Sequence, residues 1–126
     1  MNKMIDILHE TVSPVLAGRS VTEIGNMLYV RLDDSRLVEI SFNTTRTMNN
    51  YDALFFKLVS KTNGELDARM VHFRDLFSCM QDLTHPNKIG KHIWDSDGKV
   101  NWYGRPTAAD LAAIRKAVND YITLWE

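Results

Sequence analysis

The residues best suited to nucleophilic catalysis or metal binding are one cysteine and four histidines. Cys79 with His72 or His85 would form a thiolate and imidazole pair if the fold brought them together, because thiol attack needs a nearby base. However, Cys79 lies among apolar residues of a predicted helix, which favours a small buried side chain instead. His85 and His92 have lysines as close neighbours, and these oppose a divalent cation. The sequence therefore predicts no catalytic residue and no metal site.

The acidic pairs of the sequence also lack the surroundings that catalysis needs. Asp33-Asp34 lies in a predicted turn, and Asp95–Gly98 begins like a calcium-binding loop but has Lys99 at the third ligand position. The chain contains no GxGxxG, GxxxxGK[ST] or GxSxG motif. We therefore predict a non-enzymatic protein with no cofactor. A small enzyme or ligand-binding domain, with a pocket between sheet and helix near the cysteine and histidines above, is the third hypothesis.

Residues 85–105 combine positive charge with aromatic side chains. On single-strand binding surfaces, aromatic rings stack on bases while lysines contact phosphates. The whole chain has a formal charge of −1, so its net charge provides no long-range attraction for nucleic acid or for an anionic membrane. Packing of the tryptophans in the core is the simpler interpretation, and nucleic-acid binding is the second hypothesis. Its candidate residues are Lys88, Lys91, Trp94, Lys99, Trp102 and Arg105.

Length and composition place the chain among ordinary soluble domains. Its 126 residues, of which 44% are hydrophobic and 25% charged, suit one domain over residues 1–126. Uninterrupted apolar runs reach only four residues, whereas a membrane-spanning helix needs about twenty. The single cysteine excludes an internal disulfide. We predict a cytoplasmic protein without a membrane partner.

Helical periodicity is clearest at the two ends of the chain. Apolar residues at helical spacing predict a helix from Met4 to Leu16, in which Pro14 indicates either an end near Val12 or a kink. The segment after Thr107 has a continuous apolar stripe and predicts a long C-terminal helix. The spacing from Asp75 to Leu83 predicts a short middle helix.

Alternating apolar residues predict three β-hairpins. In the first, within Met27–Phe42, a three-residue loop at Asp33–Ser35 keeps the large apolar side chains on one face. The third runs from Lys91 or His92 to Tyr103 and turns at Asp95–Gly98. The polar stretch Asn43–Asp52 predicts a mobile surface connection between the first and second hairpins.

The second hairpin joins Ala53–Lys61 to Glu65–Phe73 through Asn63-Gly64, a strong turn signal. With this pair at the turn centre, Leu58 lies opposite Arg69 on the core face. The other face is too apolar for a freely solvated surface, and we expect a helix or a partner subunit to cover it. The protein-interface candidates are Phe55, Lys57, Val59, Lys61, Leu66, Met70 and His72.

These patterns together predict an α+β fold in a single domain. The expected architecture is an antiparallel sheet of about six strands in three hairpins, flanked by an N-terminal helix, a short middle helix and a long C-terminal helix. The leading functional hypothesis is a small non-enzymatic protein-binding module of the regulator, adaptor or inhibitor type. Its partner would be another protein or a second copy of the chain, which would make a homodimer.

Overall fold

The computed structural model describes residues 4–44, 50–72, 93–96, 99–102 and 108–126. Two helices and seven strands lie within them: α1 (Met4–Leu16), β1 (Val21–Ile24), β2 (Met27–Arg31), β3 (Arg36–Thr44), β4 (Asn50–Ser60), β5 (Gly64–His72), β6 (Ile93–Ser96), β7 (Lys99–Trp102) and α2 (Ala108–Trp125). The expected α+β class with an antiparallel sheet and two terminal helices is confirmed. The predicted middle helix at 75–83 lies outside the described residues.

Strands β1 to β5 form a five-stranded antiparallel sheet in which each strand pairs with the next one along the chain. The short pair β6–β7 joins this sheet only at the beginning of β4, where Asn50 pairs with Trp94 and Tyr51 with Ile93. Since β3 occupies one side of β4, strands β5 and β6 share the other side. The predicted count of about six strands is not confirmed, because β1 has no counterpart in the prediction.

The β2–β3 hairpin has the predicted three-residue loop. Val30 pairs with Val38, and the Leu32 amide donates to the Arg36 carbonyl at 3.0 Å, so the loop consists of residues 33–35. A two- or four-residue loop would have moved one set of apolar side chains to the opposite face, because side chains alternate along a strand. The hydrophobic pattern therefore favours the three-residue loop.

The predicted register of the β4–β5 hairpin is wrong by two residues. Leu58 pairs with Asp67, and Arg69 pairs with Phe56 instead. A shift of two residues leaves every side chain on its predicted face, because the strand repeat is two. The register also shifts between Leu58 and Val59, which marks a β-bulge.

The cause of that difference lies in the turn between β4 and β5. Ser60 pairs with Gly64 across a loop of residues 61–63, so Asn63-Gly64 is not at the turn centre. The Ser60 hydroxyl accepts the Thr62 and Asn63 amides, each at 3.3 Å. Gly64 has φ of 71° and begins β5 in the left-handed region that glycine adopts without steric cost.

Two further strand boundaries differ from the prediction. Strand β1 pairs with β2 through a two-residue turn at Gly25-Asn26, and Gly25 has φ of 60°. The predicted connection at 43–52 is shorter, because β3 continues to Thr44 and β4 begins at Asn50. The additional strand β1 and the longer strands β3 and β4 both enlarge the sheet.

Both helices pack on one face of the sheet, which we call the core face. The core-face side chains of β2, β3 and β4 form one buried cluster with apolar residues of α1 and α2. Phe56 is fully buried at its centre, and the centre of its ring lies 4.7 Å from that of Tyr121 on α2. Helix α1 continues through Pro14 to Leu16, and the Arg115 side chain of α2 donates to the Thr11 carbonyl at 2.8 Å.

Polar contacts hold the C-terminal end of α2 against the hairpin turns. Arg36 donates to the Trp125 carbonyl at 2.8 Å and to Asp33 at 2.8 Å. The Trp125 indole donates to Asp67 at 3.2 Å. These contacts join the β2–β3 turn and β5 to the last turn of α2. The positive charge of Arg36 at this end also interacts favourably with the helix dipole. No helix in the described part of the chain is long and apolar enough to cross a membrane.

Candidate protein-binding surface

The face of the sheet opposite the two helices, which we call the open face, carries every second residue of strands β1 to β5. Phe55 and Phe56 show the alternation: Phe56 is fully buried on the core face, whereas Phe55 is half-buried on the open face. The open face comprises Thr22, Ile24, Met27, Tyr29, Arg31, Leu37, Glu39, Ser41, Ala53, Phe55, Lys57, Val59, Glu65, Ala68 and Met70. Of these, Ala53 at the β4 end of the face is fully buried.

Large apolar side chains lie exposed on the open face. Ile24 is 60% exposed, Met70 43% and Met27 39%. Phe55 and Val59, nearer the middle of the sheet, are half-buried. Several large apolar side chains left exposed on one face are typical of protein interaction sites on soluble proteins.

A group of three charged side chains crosses the centre of the open face. The Lys57 ammonium lies 3.4 Å from a Glu65 carboxylate oxygen and 3.9 Å from a Glu39 carboxylate oxygen. The same ammonium lies 5.8 Å from the centre of the Phe55 ring. Each of these charges therefore has an opposite partner within the face.

Tyr29 connects the charged and apolar parts of the open face. Its hydroxyl donates to the Met27 sulfur at 3.4 Å. Burial raises the pKa of the Tyr29 phenol, and the nearby Glu39 carboxylate raises it further. The phenol is therefore neutral at physiological pH and contributes a hydrogen-bonding group without adding charge.

A hollow of about 390 Å³ lies at the β1 side of the open face. Its lining is formed by Ser20, Thr22, Ile24, Tyr29, Arg31 and Leu37. A volume in this range accommodates one or more large side chains of a partner. Arg31 at its edge pairs with Asp34 in the adjacent turn.

The bulge in β5 places one more apolar side chain beside the open face. Glu65 pairs with Val59 and Asp67 with Leu58, so Leu66 is the additional residue of the bulge. Its side chain is 48% exposed. A bulge at the edge of a sheet interrupts regular pairing, so partners are expected on the face rather than along this edge.

The structure brings most of the predicted interface residues together. Phe55, Lys57, Val59 and Met70 share the open face, and Leu66 lies at the adjoining bulge. Lys61 is exposed in the β4–β5 turn. His72 is the last residue of β5, where it pairs with Ala53.

The prediction missed the half of the open face that belongs to β2 and β3. Tyr29, Leu37 and Glu39 alternate with core residues in the first hairpin, so they are the outward set of a correctly predicted pattern. The residues of β4 that lie beside them on the open face follow from the pairing of β3 with β4 along its full length. The signal in the sequence was the presence of two large apolar side chains, Tyr29 and Leu37, at outward positions.

The other candidate residues carry less structural information. Lys88, Lys91 and Arg105 of the nucleic-acid hypothesis lie outside the described residues. So do Cys79 and His85 of the catalytic hypothesis, and His92, which was considered with His85 as a metal ligand. Trp94 lies on β6, and Lys99 and Trp102 lie on β7, where only the backbone is described. In the described part of the chain, no three His, Cys, Asp or Glu side chains cluster as a metal site would require.

Comparison of the chain with protein-family models, with curated proteins and with solved structures gives no match.

Proposed function

We propose that this protein is a small protein-binding module, of the regulator, adaptor or inhibitor type, and that the open face is its binding surface. One observation carries the proposal. Both described helices pack on the core face, and the opposite face of the same sheet presents large apolar side chains, among them Met27 and Met70, to solvent.

The energetics of the open face favour a protein as its ligand. Covering an apolar side chain contributes about 25 cal/mol per Å² of apolar area removed from water, so several half-exposed side chains together support a specific contact. The face follows a broad sheet and carries Tyr29, Phe55 and Met70, whose residue types are enriched in protein interfaces. We expect the partner to present a flat surface that carries apolar residues together with both acidic and basic side chains.

Affinity capture with matched surface variants tests the proposal. Met70→Glu places a charge on the open face, whereas Leu124→Glu places the same charge on α2, where Leu124 is 63% exposed. We expect proteins from the native host, or a second differently tagged copy, to be retained by the native chain and by Leu124→Glu. Met70→Glu should lose at least about tenfold of the captured protein.

Two results would contradict the proposal. Capture that is equally strong with Met70→Glu and with the native chain would place binding elsewhere on the molecule. Absence of any specifically captured protein, with the second copy included in the assay, would remove the basis for a protein-binding function. The nucleic-acid and enzyme hypotheses stay predictions, because their residues lie largely outside the described part of the chain.

A further inference from the structure

The side chains of the open face follow an ordered pattern from β2 to β5. One row across the sheet, set by the backbone pairing, reads Tyr29, Glu39, Lys57 and Ala68. The next row reads Arg31, Leu37, Val59 and Glu65. In both rows, reversing the order exchanges acid with base and leaves apolar opposite apolar.

The geometry points to a second copy of this chain as the occupant of the open face, packed face to face about a two-fold axis that runs parallel to the strands between β3 and β4. This inference rests on the proposed function, because it identifies the partner of that same surface. Such an axis reverses each row, so β3 of one copy lies over β4 of the other and β2 lies over β5.

The reversed first row places each group over a suitable partner. Glu39 lies over Lys57 of the second copy, and the same pair recurs on the other side of the axis. Tyr29, the largest side chain of the row, lies over Ala68, the smallest. Opposite charges over one another and large side chains over small ones are the two kinds of complementarity that a sheet interface needs.

The reversed second row shows the same complementarity independently. Arg31 lies over Glu65 of the second copy, and Leu37 lies over Val59. Sheets packed face to face are rotated by roughly 30°, so pairs near the axis align better than pairs near the edges. The contact between Glu39 and Lys57 is therefore the most direct one to test.

About this axis four strands of each copy overlap, because β1 lies beyond the edge formed by the partner's β5. Four strands about 4.8 Å apart, each contributing about 20 Å of length, give roughly 380 Å² per copy and about 770 Å² for the pair. An area of this size supports only a weak dimer, because stable specific interfaces bury more than about 1,000 Å². The formal charge of −1 also imposes little repulsion between two copies.

Two single charge reversals, measured alone and mixed, test the inference by sedimentation equilibrium at tens of micromolar. Glu39→Lys places an ammonium group over Lys57 at both symmetric contacts of its homodimer, and Lys57→Glu places two acids together in the same way. Each variant alone should dimerise at least about tenfold more weakly than the native chain. Mixed in equal amounts, the two variants should restore dimerisation through a heterodimer.

In the heterodimer, one chain carries lysine at both positions 39 and 57, and the other carries glutamate at both. Every contact between the two copies therefore joins an ammonium to a carboxylate, which gives the heterodimer near-native affinity. Both variants lose the attraction between positions 39 and 57 within one chain, and mixing does not repair it. Recovery on mixing thus separates the interface from effects within one chain.

A variant on α2 is the control. Lys116→Glu breaks the exposed pair with Asp120 and should leave dimerisation unchanged. If either reversal at positions 39 and 57 fails to fold by circular dichroism, Arg31→Glu and Glu65→Arg provide a second pair for the same mixing experiment.

The outcomes distinguish this inference from the function on which it rests. A native chain that stays monomeric at tens of micromolar overturns the second copy as partner, and capture of another protein that depends on Met70 would still support the proposed function. A dimer that both reversals leave unchanged, or one that the mixture does not restore, overturns the proposed axis.

Discussion

The two faces of the sheet are built from the same strands and differ in what covers them. On the core face, Phe56 is fully buried and its ring contacts Tyr121. One residue earlier, Phe55 lies half-buried on the open face beneath the Lys57 ammonium. The core face is covered by the two helices of the same chain, whereas the open face leaves large apolar side chains partly exposed. Neighbouring residues on opposite faces therefore allow stability and the proposed binding to be tested separately.

The largest expected effect comes from the two adjacent phenylalanines. Phe56→Ala removes a buried aromatic ring and leaves a cavity, so the free energy of unfolding should fall by about 3–5 kcal/mol. Phe55→Ala removes the same atoms from a half-buried position and should cost less than half as much. Urea denaturation of both variants at low protein concentration measures the difference. Equal losses would contradict the assignment of the two faces.

The second comparison uses two arginines on opposite sides of the β2–β3 turn. Arg36 lies on the side of the core face and donates to Asp33 and to the Trp125 carbonyl. Arg31 lies on the open face, where its pair with Asp34 is exposed. Arg36→Met should lower the free energy of unfolding by about 1 kcal/mol, because the end of α2 loses a charge-assisted hydrogen bond.

Arg31→Met is the matched control for Arg36→Met. An exposed ion pair contributes little, so this variant should change the free energy of unfolding by less than about 0.5 kcal/mol. Hydrogen exchange of the last turn of α2 provides a second measurement, since only Arg36→Met should accelerate it. A larger loss of stability in Arg31→Met than in Arg36→Met would show that the turn is not the attachment point of α2.

The sequence predicted the core face more completely than the open face, and the reason is physical. A one-residue slip in the first hairpin would have placed Val30 and Val38 on opposite faces of the sheet, so the hydrophobic pattern excluded a loop one residue shorter or longer than 33–35. The second hairpin tolerated an error of two residues, because that shift keeps each side chain on its face. Strand β1 was missed because its residues are largely exposed, and its turn at Gly25-Asn26 was the available signal.

Only the β4–β5 half of the candidate surface could be predicted. Phe55, Val59 and Met70 stand out as apolar residues at outward positions of one hairpin. Glu39, by contrast, resembles an ordinary solvent-facing residue until β3 is placed beside β4 and its carboxylate lies 3.9 Å from the Lys57 ammonium. The pairing of separate hairpins is a long-range property, and alternation within each hairpin does not specify it.

The smallest expected effect concerns the two adjacent aspartates of the β2–β3 turn and appears only in acid. Hydrogen bonds from the Ser35 amide and from Arg36 hold the pKa of Asp33 well below its usual value. A carboxyl whose pKa is lower in the folded than in the unfolded state stabilises the fold above the unfolded value of about 3.9. That contribution is lost as pH falls through the folded pKa.

Asp33→Asn should therefore reduce the loss of stability between about pH 5 and pH 2, measured by thermal unfolding. Asp34→Asn removes the same charge from a side chain that is 96% exposed and is the matched control. If Asp33→Asn and the native chain lose stability equally as the pH falls, Asp33 contributes no more to the acid sensitivity of the fold than exposed Asp34 does.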